Sequence, residues 1–233
     1  MGNQWQDGDF AEAWDRQNLP GNPTRLEQLD ILTTIVADLS AEGASVLELG
    51  IGSGQVAEML LTRRPDIHVV GIDFSSPMLA IAQRRLKRWT GQYTLVEADV
   101  QSVAWETLPR RPYGAAFSVQ ALHHLPKEVQ RNVAHQVYDA LKVGGVFLLE
   151  DQIALESRTL DPVYESTWGR LERITPLKSG WSGAYFLQRH REKKEDHHPA
   201  PVEEHLSLLR AVGFHAACIH LHLNRALFAA AKG

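Results

Sequence analysis

Val46-Leu47-Glu48-Leu49-Gly50-Ile51-Gly52-Ser53-Gly54 reads as a short buried strand running straight into a glycine-rich turn. Val46, Leu47 and Leu49 supply the apolar run, and Glu48 stands just before three alternating glycines. Glycine has no Cβ, so such a turn bends tightly and lets a ligand approach the backbone. Gln55 to Arg64 is helix-compatible, which brings that ligand to a helix N-terminus. The stretch is the signature of a cradle for a nucleotide-like ligand.

Outward from it, the pattern is strand–helix repeated. Thr24 to Leu39 carries an apolar stripe at helical spacing and precedes the first strand, with a shorter helix over Asp9 to Gln17 before it. Ile67–Ile72, Gln92–Glu97, Tyr113–Val119 and Val146–Glu150 are further apolar strands, and helices are expected between most of them. Ser75 or Ser76 is placed to cap one helix, with Pro77 in its first turn, and Lys127 to Leu141 forms another. Alternation of this kind predicts a doubly wound α/β sheet with ligand at the strand C-termini. After Asp151 the order changes. Two helices, about Pro162–Ile174 and Gly183–Lys194, predict an insertion over the ligand edge, followed by a helix over Val202–Val212 and a closing strand hairpin. The chain is expected to be a single domain: an N-terminal helical cover (1–40), a cofactor-binding core (41–151), a cap (152–200) and a closing helix and hairpin (201–233).

Composition narrows the function classes. The net charge is −4 with histidine neutral, so no global basic field argues for nucleic acid or an anionic membrane. The basic run Arg84-Arg85-Leu86-Lys87-Arg88 falls on a crossover helix and reads as solvated surface. Cys218 is the single cysteine, which excludes an intrachain disulfide and suits a reducing, cytoplasmic setting. The polar N-terminus is unlike a signal peptide, and no apolar run approaches a membrane span.

Gly52-Ser53-Gly54-Gln55-Val56-Ala57 fits the G-x-G-x-x-A form of the dinucleotide fingerprint, with Asp73 near the ribose-acid spacing. Three details point elsewhere: Glu48 gives E-x-G-x-G-x-G, a further acid follows the third strand in Glu97-Ala98-Asp99-Val100, and the chain ends in a hairpin. With Val69-Val70-Gly71-Ile72-Asp73 and Leu141-Lys142-Val143-Gly144-Gly145-Val146, the sequence resembles the class I S-adenosylmethionine-dependent methyltransferases of the small-molecule type. The resemblance covers roughly Leu26 to Glu150 and Val202 to Lys232. It implies a seven-stranded, mainly parallel sheet whose last strand is antiparallel. It implies S-adenosyl-L-methionine as cofactor and S-adenosyl-L-homocysteine as product. By the same resemblance, Gly50, Gly52 and Gly54 line the methionine and ribose part, and Glu48 anchors the loop and the amine side. Asp73 accepts both ribose hydroxyls, Asp99 accepts from the adenine amino group with Val100 on the ring, Phe74 and Met78 pack on the other ring face, and Gln120 touches the methionine end. Asp73 and Asp99 each have a plainer reading as helix N-caps.

The acceptor is expected to be a small molecule. His123 and His124 follow the fourth strand at the ligand edge, where similar small-molecule enzymes carry a His-His-Leu or His-His-Met segment, and imidazole suits a general base. One of the two is expected to hold the loop while the other faces the pocket, with His124 favoured. Asp151 ends the fifth strand and is placed to hold a histidine, bind acceptor or cap the next segment. Trp5, Trp14, Tyr164, Trp168, Trp181 and Tyr185 are wall or packing residues. The run His190 to His198 reads as a solvated face. Binding of an anionic acceptor such as a carboxylate is an alternative for the run, and so is a metal site from His197, His198 and another ligand, but adjacent histidines rarely share an ion, no second spaced cluster supports it, and no metal is assigned. His220 and His222 are expected on a shared surface-facing side of a strand. Lys194-Glu195-Asp196, Pro201-Val202-Glu203-Glu204 and Ala226-Leu227-Phe228 also resemble proteins grouped with the wobble-uridine tRNA-modifying enzymes. That alternative, a non-catalytic cofactor-binding module and a dinucleotide oxidoreductase remain open at this level, as does oligomerisation.

Overall fold

The computed structural model describes residues 3–17, 24–174, 182–192 and 197–233. Its centre is a seven-stranded sheet built from β1 (Ser45–Leu49), β2 (His68–Asp73), β3 (Tyr93–Glu97), β4 (Tyr113–Val119), β5 (Leu141–Gln152), β6 (Phe214–His222) and β7 (Arg225–Lys232). The spatial order is β3-β2-β1-β4-β5-β7-β6. β1 to β5 pair in parallel, whereas β7 runs antiparallel to both β5 and β6. This is the sheet expected from the resemblance.

Alternation along the strands fills two layers, since successive side chains point to opposite faces. Val46, Phe117, Leu148 and Leu227 face α2 (Arg25–Leu39), α3 (Gln55–Arg63) and α4 (Ser76–Arg85). Leu47, Leu49, Phe147 and Phe228 face the opposite layer, which includes α5 (Lys127–Ala140) and α8 (Val202–Val212). α1 (Gly8–Gln17) lies outside α4, where Ala11 packs on Met78 and Ile81. α6 (Asp161–Ile174) and α7 (Gly183–Arg191) form a helical pair with its own small core of Leu155, Trp168, Leu171 and Leu187.

Four details depart from the sequence reading. β5 starts at Leu141, not Val146, because Leu141 already pairs with Tyr113 before a bulge that contains Gly144 at φ +75°. α4 stops at Arg85 and gives way to a 3₁₀ turn over Lys87–Trp89. His220 and His222 share one side of β6, but it is the half-buried side: past a register shift between Cys218 and His220, Ile219 and Leu221 are exposed, while His220 comes within 3.9 Å of Glu27. The basic run departs at Arg85 alone, which is half-buried and ion-paired to Asp15 at 2.8 Å, while Arg84, Lys87 and Arg88 are exposed as read. Among the described residues, no helix is long and apolar enough to cross a membrane.

Candidate active site

Parallel pairing brings the C-termini of β1, β2 and β4 to one edge. A cleft of ≈ 680 Å³, counting its open mouth, lies there. Gly50, Gly52, Asp73, Phe74, Met78, Val100, Gln120 and His124 line it, with Trp5 and Trp14 from the N-terminal cover. The cover is tied down at this edge, because Gln6 Nε2 donates to the Phe74 carbonyl at 2.9 Å and Ser75 Oγ donates to the Trp5 carbonyl. Trp5 stands edge-on to His124, with ring centroids 6.4 Å apart.

Asp73 closes β2 and locks two loops together. Its carboxylate accepts from Gly52 N–H at 2.8 Å and from Ser75 N–H at 2.9 Å. Burial pushes this carboxyl upward, and the backbone donors of Ser75, Gly52 and Phe74 pull it back. Each oxygen still has a lone pair for a ligand hydroxyl. Gly50 has φ +68°, and a Cβ there would stand 2.6 Å from the Ala121 Cβ, so only glycine fits where the β1 and β4 loops meet.

Glu48 lies deeper, in an adjoining recess that it shares with Arg25, Trp14, Gly50 and Gly52. Glu48 Oε2 and Arg25 Nε are both buried without a hydrogen-bond partner. Burial first, and then the neighbouring Asp73, raise the Glu48 carboxyl well above its usual range. Burial lowers Arg25 to about 10, against the pull of Glu150. An acid and a cation, each with one unsatisfied buried atom, could take the ammonium and carboxylate of an amino-acid tail. Gln120 lines the cleft with φ +53°. Its N–H is held by the Glu150 carbonyl at 2.8 Å, so β5 maintains a conformation that a non-glycine residue rarely adopts.

Two residues expected at the cofactor are not among the cleft's lining. Gly54 does not line the cleft: at φ +75° it is the N-cap of α3, and its missing side chain admits Ala82 of α4, whose Cβ would be 3.1 Å away. Asp99 stands outside the lining as well. Its carboxylate accepts from Gln101 N–H at 2.9 Å and Gln101 Nε2 at 3.1 Å, a local cap, while the flanking Ala98 and Val100 do line the wall.

On the acceptor side, a 3₁₀ turn over Leu122–His124 sets the two adjacent histidines side by side, with ring centroids 4.1 Å apart. His123 is 1% exposed and Asp151 fully buried. Asp151 accepts from His123 N–H at 2.9 Å and from the ring Nδ1. Burial alone would raise the Asp151 carboxyl, but its interaction with His123 holds it below its usual value. His123 thus fixes the loop and His124 lines the cleft. His197 joins them, 4.9 Å from His123 and 4.5 Å from His124 between centroids. It is carried there by a backbone clamp in which His198 N–H donates to the His123 carbonyl at 2.6 Å and Gln130 Nε2 donates to the His198 carbonyl at 3.3 Å. Spacing along the chain could not reveal this third imidazole.

Tyr164 and Trp168 pack inside the α6–α7 pair and do not line the cleft, and Tyr185 lies on α7 beside Phe186. Trp181 and residues 193–196 lie outside the described residues. Arg25 is a site residue that sequence reasoning missed, because it reads as the first polar position of an amphipathic helix.

Comparison with known proteins agrees with this geometry. Residues 46–145 match the family model for a methyltransferase domain. A carboxy-S-adenosyl-L-methionine synthase from a Nitratiruptor species is 22% identical over 209 residues, covering 89% of this chain and 84% of that protein. A demethylmenaquinone methyltransferase from Thermus thermophilus is 28% identical over 180 residues, covering 76% of this chain and 78% of its own. The solved structure of an O-methyltransferase family protein from Burkholderia thailandensis superposes with a TM-score of 0.67 at 14% identity, and shows the same fold. It covers 99% of this chain, which spans 62% of that longer one.

Proposed function

From a chain that carries a class I S-adenosylmethionine-dependent methyltransferase domain, we propose methyl transfer to a small molecule bound between the glycine turn and His124. The carrying observation is that one cleft is lined both by Gly50, Gly52 and Asp73 and by His124. S-adenosylmethionine supplies an electrophilic methyl group on a sulfonium centre. In this reading Asp73 holds the ribose hydroxyls and Val100, Phe74 and Met78 hold the adenine. Glu48 and Arg25 hold the amino-acid tail, and their two orphaned polar atoms are what such a tail would satisfy.

His124 is the proton acceptor for an acidic acceptor group, and Trp5 and Trp14 exclude water from the cleft. The His123–Asp151 pair positions the turn that carries His124. A general base contributes about 10²–10⁴-fold. His124→Ala should therefore lower turnover at saturating cofactor by about two decades or more, with S-adenosylhomocysteine affinity unchanged by calorimetry. Unchanged turnover on an identified acceptor removes His124 from the mechanism.

A second reading is favoured by one comparison. The likeness to a carboxy-S-adenosyl-L-methionine synthase runs over 209 residues, well beyond the glycine turn. In that reading the cofactor itself is the molecule modified. Mass spectrometry of the small-molecule products separates the two: S-adenosylhomocysteine with a methylated acceptor supports the first, a carboxylated cofactor the second.

A further inference from the structure

We propose that His123, His124 and His197 form a binding site for one divalent transition-metal ion, zinc above all, with Asp151 as the carboxylate behind His123. One ligating nitrogen from each ring lies within 4.8 Å of the other two. Tetrahedral zinc with Zn–N bonds of about 2.0–2.1 Å needs nitrogens about 3.3 Å apart, a contraction that ring rotation and the short 3₁₀ turn can supply.

The second observation is independent of that proximity. His123 is 1% exposed, its Nδ1 is occupied by Asp151, and its Nε2 is buried with no hydrogen-bond partner. Buried ring nitrogens are ordinarily satisfied, so this orphan calls for a ligand. A histidine whose far nitrogen is held by a carboxylate, with its near nitrogen free, is the arrangement that orients metal-bound imidazoles. Three neutral imidazoles suit zinc and its first-row neighbours, and leave a fourth position open.

The rest of the local structure fits. Asp151 offsets part of the cation's charge from within the protein. His197 is held beside His123 and His124 by the backbone clamp between His198 and His123, so the third ligand is brought in by main chain. His124 belongs also to the cleft, so the open position faces the acceptor; with the ion bound, His124 would serve as a ligand and the cation, in place of the free imidazole, would make the acceptor group acidic. That last assignment rests on the methyl-transfer reading and would favour an acceptor with a hydroxyl or other metal-binding donor. The site itself does not rest on it.

The test is zinc titration of tag-free, chelator-stripped full-length protein against a chromophoric competitor, with cobalt(II) as the spectroscopic probe. One equivalent per chain is expected, with visible d–d bands of four-coordinate intensity. His197→Ala, at a partly exposed loop position, should lower zinc affinity more than 100-fold. Asp151→Asn should lower it about 10–100-fold. His198→Ala, which keeps the backbone clamp, should bind as the parent does. No uptake, or equal uptake by parent and His197→Ala, overturns the site. S-adenosylhomocysteine binding and acceptor turnover, measured separately on metal-free protein, decide the methyl-transfer reading, so either can fail without the other.

Discussion

Glu48 is a carboxyl held where charge is costly: 2% exposed, one oxygen unpartnered, and raised well above its ordinary value of 4.5 by burial and then by Asp73. The sign of its linkage follows. In the unfolded chain the carboxyl ionises near pH 4.5, while the folded protein retains the proton until the pH reaches its raised value. Across that window the unfolded state gains charge and the native state does not, so folding loses about 1.4 kcal/mol per pH unit from this one group. Glu48→Gln removes that loss. The variant should melt higher than the parent at pH 8 and converge with it near pH 4, as followed by thermal unfolding of the ligand-free proteins. Equal melting temperatures across the range would place the carboxyl in a more polar setting. Asp73 carries the complementary expectation. A charged acceptor contributes about 1.5–3 kcal/mol, so Asp73→Ala should weaken S-adenosylhomocysteine binding by roughly one to two decades in calorimetry. Both acids were legible because they stand at strand ends, Glu48 one residue before the end of β1 and Asp73 at the end of β2, where the chain places them by local geometry. Arg25 and His197 were not, because each reaches the site from a segment whose own pattern describes only a helix or a loop.

At the scale of elements, the glycine turn divides its labour. Gly50 and Gly52 face the cleft, and Gly54 serves the junction of α3 with α4. Alanine at Gly54 must hold φ +75° and accept a Cβ contact at 3.1 Å with Ala82. The left-handed conformation alone costs an L-residue about 1–2 kcal/mol. For a chain of this size each kcal/mol is about 2–4 °C in Tm, so Gly54→Ala should lower Tm by about 2–8 °C, or more if α4 cannot yield. Cofactor affinity should change little in the variant that remains folded, unlike Gly50→Ala, whose Cβ would stand 2.6 Å from Ala121. The motif alone made the three glycines equivalent, because a sequence pattern records the absence of a side chain but not which neighbour occupies the space. The same limit explains β5. Val143-Gly144-Gly145 reads as a turn, yet in space it is a bulge between two stretches of one strand, since Leu141 had already found Tyr113.

The whole molecule was the most legible scale. Strand–helix alternation, with a hairpin after α8, fixes a sheet whose order reverses between β1 and β4, and a sheet of this kind binds its ligand beyond the strand C-termini at that reversal. What the topology leaves free is how the cover closes. Trp5 and Trp14 reach the cleft only because Arg85 ties α1 to α4 through Asp15 and Ser75 Oγ donates to the Trp5 carbonyl. Ligand therefore bridges the sheet edge and the cover, and its binding energy should appear as global stability. A ligand that binds only the native state stabilises it by about 2.7 kcal/mol at 100 times its Kd. S-adenosylhomocysteine at that concentration should raise Tm by about 5–11 °C and change the tryptophan emission, because Trp5 and Trp14 line the cleft. NAD at the same concentration should do neither. A shift with NAD and none with S-adenosylhomocysteine would return the glycine turn to a dinucleotide. A shift without any emission change would mean that the cover stands clear of the bound cofactor, and would move the wall of the acceptor site from the N-terminal tryptophans to the segment that carries His197.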